Sequence, residues 1–103
     1  PQSLSAEVAG VPGGIQFMWD LSPEAEYELL IRGLRKDAGK LGLRVDLRNA
    51  AGETTSQWIH VGDQLSWQHR QHCRDSDQLH VVVYSDKPNT LHFSSVQVQP
   101  VSH

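Results

Sequence analysis

Three tryptophans, six histidines and one cysteine are the side chains of this 103-residue chain with the most evident chemistry. Trp19, Trp58 and Trp67 offer flat rings on which the apolar C–H faces of pyranose sugars stack, leaving polar neighbours to satisfy the hydroxyls. A tryptophan in phase with apolar neighbours belongs to a core. Trp19 shares its phase with Ile15 and Phe17, and Trp67 with Leu65, so both are expected to be structural. Trp58 is out of phase with Ile59 and Val61 and is expected to point outward. The residues in the same outward phase on other β-like runs form the candidate ligand-binding face. They are Arg44, Asp46, Trp58, His60, Gln68, Arg70, His80, Tyr84 and His92. A mixture of aromatic, amide and charged groups suits a polyhydroxylated ligand. The same mixture also describes an ordinary hydrated outer sheet face.

Other chemistries fare less well. His69-Arg-Gln-His72-Cys73 gathers zinc-ligand types, but an extended strand turns His69 and His72 to opposite faces, and no second ligand pair stands at zinc-finger spacing. No metal site and no cofactor are expected. Cys73 is the single cysteine, so it forms no internal disulfide; it reads as an inert, partly buried thiol. Asp75 and Asp77 are turn residues rather than a paired acid and base. No G-x-S-x-G elbow is present, and Gly10-Val-Pro-Gly-Gly14 lacks the G-K-[ST] of a phosphate loop. No catalytic residue is assigned.

The elements that must position these side chains are short and alternating. Ser3–Ala9 is a weak first strand. Ile15–Trp19 sends Ile15, Phe17 and Trp19 one way and Gln16 and Met18 the other. Glu24–Leu34 carries helix-favouring Glu, Ala and Leu behind Ser22-Pro23. Yet Tyr27, Leu29, Ile31 and Gly33 alternate with period two, which favours a strand. Leu41–Arg48 alternates strictly and joins Thr54–Val61 through Asn49-Ala-Ala-Gly52 as a hairpin. After the Gly62-Asp63 turn come Leu65–His72, then Gln78–Ser85 and a last strand from Thr90 to Gln99. Its two apolar pairs, Leu91 and Phe93 against Val96 and Val98, are out of phase across Ser94-Ser95. A β-bulge there would bring both to the core. About eight strands at regular spacing predict an all-β, two-sheet antiparallel β-sandwich.

Length supports one domain over residues 1–103. The formal net charge of −3 argues against nucleic acid as partner. The basic residues between Arg32 and Arg48 are interrupted by Asp37 and Asp46. No apolar run reaches membrane-spanning length, so direct membrane insertion is not expected. The opening PQSLSAEV has no signal-peptide shape, which places any targeting segment outside this sequence.

The order of these features is similar to that of a known family. Leu21-Ser-Pro-Glu-Ala-Glu-Tyr-Glu-Leu-Leu-Ile-Arg-Gly33 resembles a proline loop followed by a tyrosine-led strand. After it come Leu41–Arg48, the threonine-rich Thr54–Val61, the tryptophan-bearing Leu65–His72, Leu79–Tyr84 and Leu91–Val98. This is the layout of jelly-roll carbohydrate-binding modules with a galactose-binding-like fold. The chain departs from it in two ways. The family's strand before Ser3–Ala9 is missing or truncated, and Ser94-Ser95 stand where its terminal strand often carries a metal-binding aspartate. The second departure argues against the family's structural calcium. The resemblance implies a non-catalytic module that binds a glycan or polysaccharide, excised from a larger bacterial, extracytoplasmic (periplasmic, cell-surface or secreted) protein whose other domains are its partners. The alternative is a structural or protein-interaction β-sandwich of an envelope or secreted protein, or an accessory domain of a carbohydrate-active enzyme.

Overall fold

A computed structural model of the chain describes residues 4–8, 13–36, 40–61 and 64–101. The ends of the Ser3–Ala9 run, most of the Gly10–Gly14 loop and the Gly62-Asp63 turn lie outside the described residues. Eight strands follow one another: β1 (Leu4–Val8), β2 (Gly13–Asp20), β3 (Tyr27–Arg35), β4 (Leu41–Arg48), β5 (Thr54–His60), β6 (Ser66–Cys73), β7 (Gln78–Ser85) and β8 (Asn89–Pro100). They form two four-stranded sheets, ordered β1-β8-β3-β6 and β2-β7-β4-β5. Every pairing is antiparallel. The architecture is the expected β-sandwich.

Period-two alternation puts one apolar set from each sheet between the layers. Leu29 and Ile31 of β3 and Leu91 and Phe93 of β8 meet Leu41, Leu43 and Val45 of β4 and Leu79, Val81 and Val83 of β7, all fully buried. The helix-like Ser22-Pro-Glu-Ala segment forms only a turn, in which Ser22 Oγ donates to Glu24 and the Ala25 amide to the Ser22 carbonyl. The chain then extends into β3. Burying Leu29 and Ile31 against the opposite sheet outweighs a helix propensity that differs by only tenths of a kcal/mol per residue.

Trp67 is buried under Gly33, where an added Cβ would lie 2.8 Å from its ring, and it meets Phe93 edge to face at 5.8 Å. Trp19 is half-buried, stacked on Phe17 at 6.1 Å and packed against the core. Both tryptophans are structural, as their phase implies. Leu65 is not the inward companion of Trp67. It precedes β6, stands 52% exposed, and gives only its carbonyl, to the Arg35 amide. Cys73 is fully rather than partly buried, and that burial pushes its thiol pKa up. His69 and His72 lie on opposite faces of β6, His69 half-buried and His72 exposed.

The bulge in β8 falls where the phase changes. Arg32 pairs with Ser95 and Gly33 with Phe93, so Ser94 is the extra residue. Its hydroxyl donates to the Arg32 carbonyl at 3.2 Å. Leu91 and Phe93 on one side, and Val96 and Val98 on the other, all reach the core.

Candidate functional site

The registers of the β2-β7-β4-β5 sheet arrange its outward side chains in rows. Gly14, Tyr84, Gly42 and His60 make one row; Gln16, Val82, Arg44 and Trp58 the next; Met18, His80, Asp46 and Ser56 the third. Six of the nine residues expected on the candidate face therefore share one surface: Arg44, Asp46, Trp58, His60, His80 and Tyr84. The other three do not. Gln68, Arg70 and His92 lie on the outer face of the β1-β8-β3-β6 sheet, where Gln68 accepts from Arg32, Arg70 approaches Glu28 at 3.7 Å and His92 pairs with Leu34. Outward phase is the same on both sheets, and only long-range strand order separates them.

Trp58 is the most exposed large apolar side chain described, at 64%. The β4–β5 hairpin fixes it. In the turn, the Asn49 side chain accepts from the Ala51 and Glu53 amides, and Gly52 takes a φ of 86°, a left-handed conformation that glycine adopts without strain. Two contacts then hold the ring. Tyr84 meets it edge to face at 5.7 Å with 74° between planes, and the Arg44 guanidinium sits 5.7 Å from the ring centre. Tyr84 reaches across from β7 because Gly42, on the strand between, has no side chain. A Cβ there would lie 2.5 Å from the tyrosine hydroxyl and 2.6 Å from Cζ. The result is two aromatic planes at a steep angle, spanning β7, β4 and β5.

Below this corner lies a charged cluster. Arg44 Nε donates to Asp46 Oδ2 at 3.0 Å, and His80 Nδ1 is 3.4 Å from the same oxygen. His80 Nε2 is within hydrogen-bonding distance, 3.0 Å, of Gln16 Oε1. The Asp46 side chain is only 13% exposed. Burial works against its charge, but the Ser56 hydroxyl opposite, Arg44 and His80 outweigh it and hold the carboxyl below the usual aspartate range. Oδ1 is enclosed without a well-formed hydrogen bond, so Ser56 acts as a nearby dipole rather than a geometric donor. The arrangement positions rings and polar groups around a largely buried carboxylate. Among the described residues, no three His, Cys, Asp or Glu side chains gather as metal ligands.

Sequence reasoning left out Gln16, Met18, Ser56 and Gly42. Gln16 and Met18 were visible as the outward phase of β2, but their adjacency to His80 depends on β2 pairing with β7, some sixty residues later in the chain. Met18, 59% exposed, extends the apolar part of the face, and its sulfur accepts from Gln78 Nε2 at 3.5 Å.

No protein-family profile matches the chain, and no curated protein matches it by sequence. Solved structures do match its fold. A CBM4 structure superposes with a TM-score of 0.63 at 10% identity, over 94% of this chain and 71% of that one. A family 16 carbohydrate-binding module gives 0.61 at 10% identity, over 89% of this chain and 73% of that one. The enzymatically active domain of bacteriophage CBA120 tailspike protein 4 gives 0.60 at 13% identity, over 96% of this chain but only 15% of that one. The chain thus has the jelly-roll fold seen in carbohydrate-binding modules.

Proposed function

We propose that this domain is a non-catalytic carbohydrate-binding module that recognises a glycan on the outer face of the β2-β7-β4-β5 sheet. The observation that carries this reading is Trp58, solvent-exposed yet held by Tyr84 and Arg44. A ring held in place by its neighbours gives a stacking surface with little entropy left to lose on binding. The Trp58–Tyr84 corner takes the C–H face of a sugar. Arg44, His80, Gln16 and His60 around it hydrogen-bond hydroxyls. Gln68, Arg70 and His92, on the opposite sheet, take no part. The domain works beside other domains of an extracytoplasmic parent protein, concentrating them on polysaccharide.

Glycan-array screening followed by calorimetric titration tests this. A ligand is expected at micromolar to millimolar affinity. Trp58→Ala should weaken it at least about tenfold, since truncating an aromatic anchor costs upwards of about 1–2 kcal/mol. Absence of binding to any glycan at millimolar concentration would overturn the function. Binding that survives Trp58→Ala would overturn the site.

A further inference from the structure

Four strands form the edges of the two sheets: β1, β6, β2 and β5. Natural sheets guard such edges with charge, proline, bulges or short length. β1 is five residues long and contains Glu7, β2 ends in Asp20, and β6 carries Arg70. β5, Thr-Thr-Ser-Gln-Trp-Ile-His, has no acidic residue, lysine, arginine or proline, and its register with β4 runs unbroken from Gly42↔His60 to Arg48↔Thr54. Its residues are exposed on both phases. Thr55 and Gln57 share the inner phase of their partners Leu47 and Val45 yet remain exposed.

The hydrogen-bonding phase of this edge can be read off. The Asn49 amide donates to Glu53 and the Val61 amide to Leu41, at the two ends of the β4–β5 ladder. Antiparallel bonding alternates residue by residue. Thr55, Gln57 and Ile59 therefore bond inward to β4, while Thr54, Ser56, Trp58 and His60 present their amides and carbonyls to solvent. Gln57 is the midpoint of β5. A two-fold axis at Gln57 pairs Ser56 with Trp58 and Thr54 with His60 of a second copy, so every outward residue meets another outward one. Full overlap and the hydrogen-bonding phase thus select the same register. The Trp58 ring leans toward Tyr84, away from the edge, and leaves it clear.

We infer that β5 is a self-pairing edge, through which two copies of this chain join their β2-β7-β4-β5 sheets into one continuous antiparallel sheet. The interface is isologous, with Gln57 facing Gln57 across the axis. The two Trp58 side chains become diagonal neighbours on one face, with Cα atoms about 7–8 Å apart. This inference does not depend on glycan binding.

Sedimentation equilibrium across micromolar to millimolar protein tests it. The wild-type chain should show a concentration-dependent monomer–dimer equilibrium. Gln57→Lys and Gln57→Glu place like charges opposite each other, and each should weaken self-association several-fold while circular dichroism shows the folded sandwich. An equimolar mixture of the two should associate more tightly than either alone. A wild-type chain that stays monomeric throughout, variants that dimerise like the wild type, or a mixture that fails to recover association would each overturn the inference.

Discussion

Gly42 and Gly33 occupy comparable places on central strands, but a methyl group added at each meets very different neighbours. At Gly42 it meets the outer end of the Tyr84 side chain, which can swing away into solvent. At Gly33 it meets the His92 carbonyl and the buried Trp67 ring, both 2.8 Å away, and neither can withdraw. Gly33→Ala should therefore lower unfolding free energy by about 1–3 kcal/mol in urea titration, the usual cost of overpacking. Gly42→Ala should cost under about 1 kcal/mol, and on the proposed glycan-binding function its larger effect should fall on affinity, through displaced Tyr84. Asp46 gives a second contrast. Its carboxyl has a lower pKa folded than unfolded, so its stabilising contribution is complete above the unfolded value and disappears as pH falls through the folded one. Thermal melts should lose stability below about pH 4, and Asp46→Asn should flatten that part of the profile. At this scale the sequence was a good guide to single side chains. Trp58 is outward because Ile59 and Val61 are inward, a local fact. That Gly42 lets Tyr84 reach Trp58 involves three strands and no local pattern.

At the scale of the element, the strands were legible because each buries a single face. Leu79, Val81 and Val83 announce β7 unaided, and Leu29 and Ile31 decided β3 against its own helix formers. What alternation did not convey was partnership. Nothing near Gln68, Arg70 or His92 distinguishes their outer face from that of Trp58, since only the pairing of β6 and β8 with β3, and of β5 with β4, separates the two. The β8 bulge is the element most open to test. Removing Ser94 restores a regular ladder and leaves Phe93 and Val96 both inward, so the deletion should fold, with a loss of about 1–3 kcal/mol. Removing Gln97 instead inverts the phase of Val98 against β3 and should abolish cooperative unfolding. Equal damage from the two deletions, measured by chemical denaturation, would contradict the bulge.

On the scale of the whole molecule, the core fills the space between the two sheets, and the candidate face lies on the outside of one of them. Buried mass concentrates in the inner strands β7, β4, β3 and β8, which carry ten of the twelve buried apolar side chains among the described residues. The most exposed ring stands on β5, tied to the rest of the fold along one flank only. Edge strands with few buried contacts open at lower free-energy cost than the interior. In the monomer the platform can therefore come apart and re-form while the core stays intact, and the affinity proposed for it scales with the fraction of time that β5 is docked. On the glycan-binding function proposed above, a sugar lying across Trp58 and Tyr84 would touch β5 and β7 at once. Such a ligand would act as a clasp over β4, slowing amide exchange along Thr54–His60 in proportion to its occupancy.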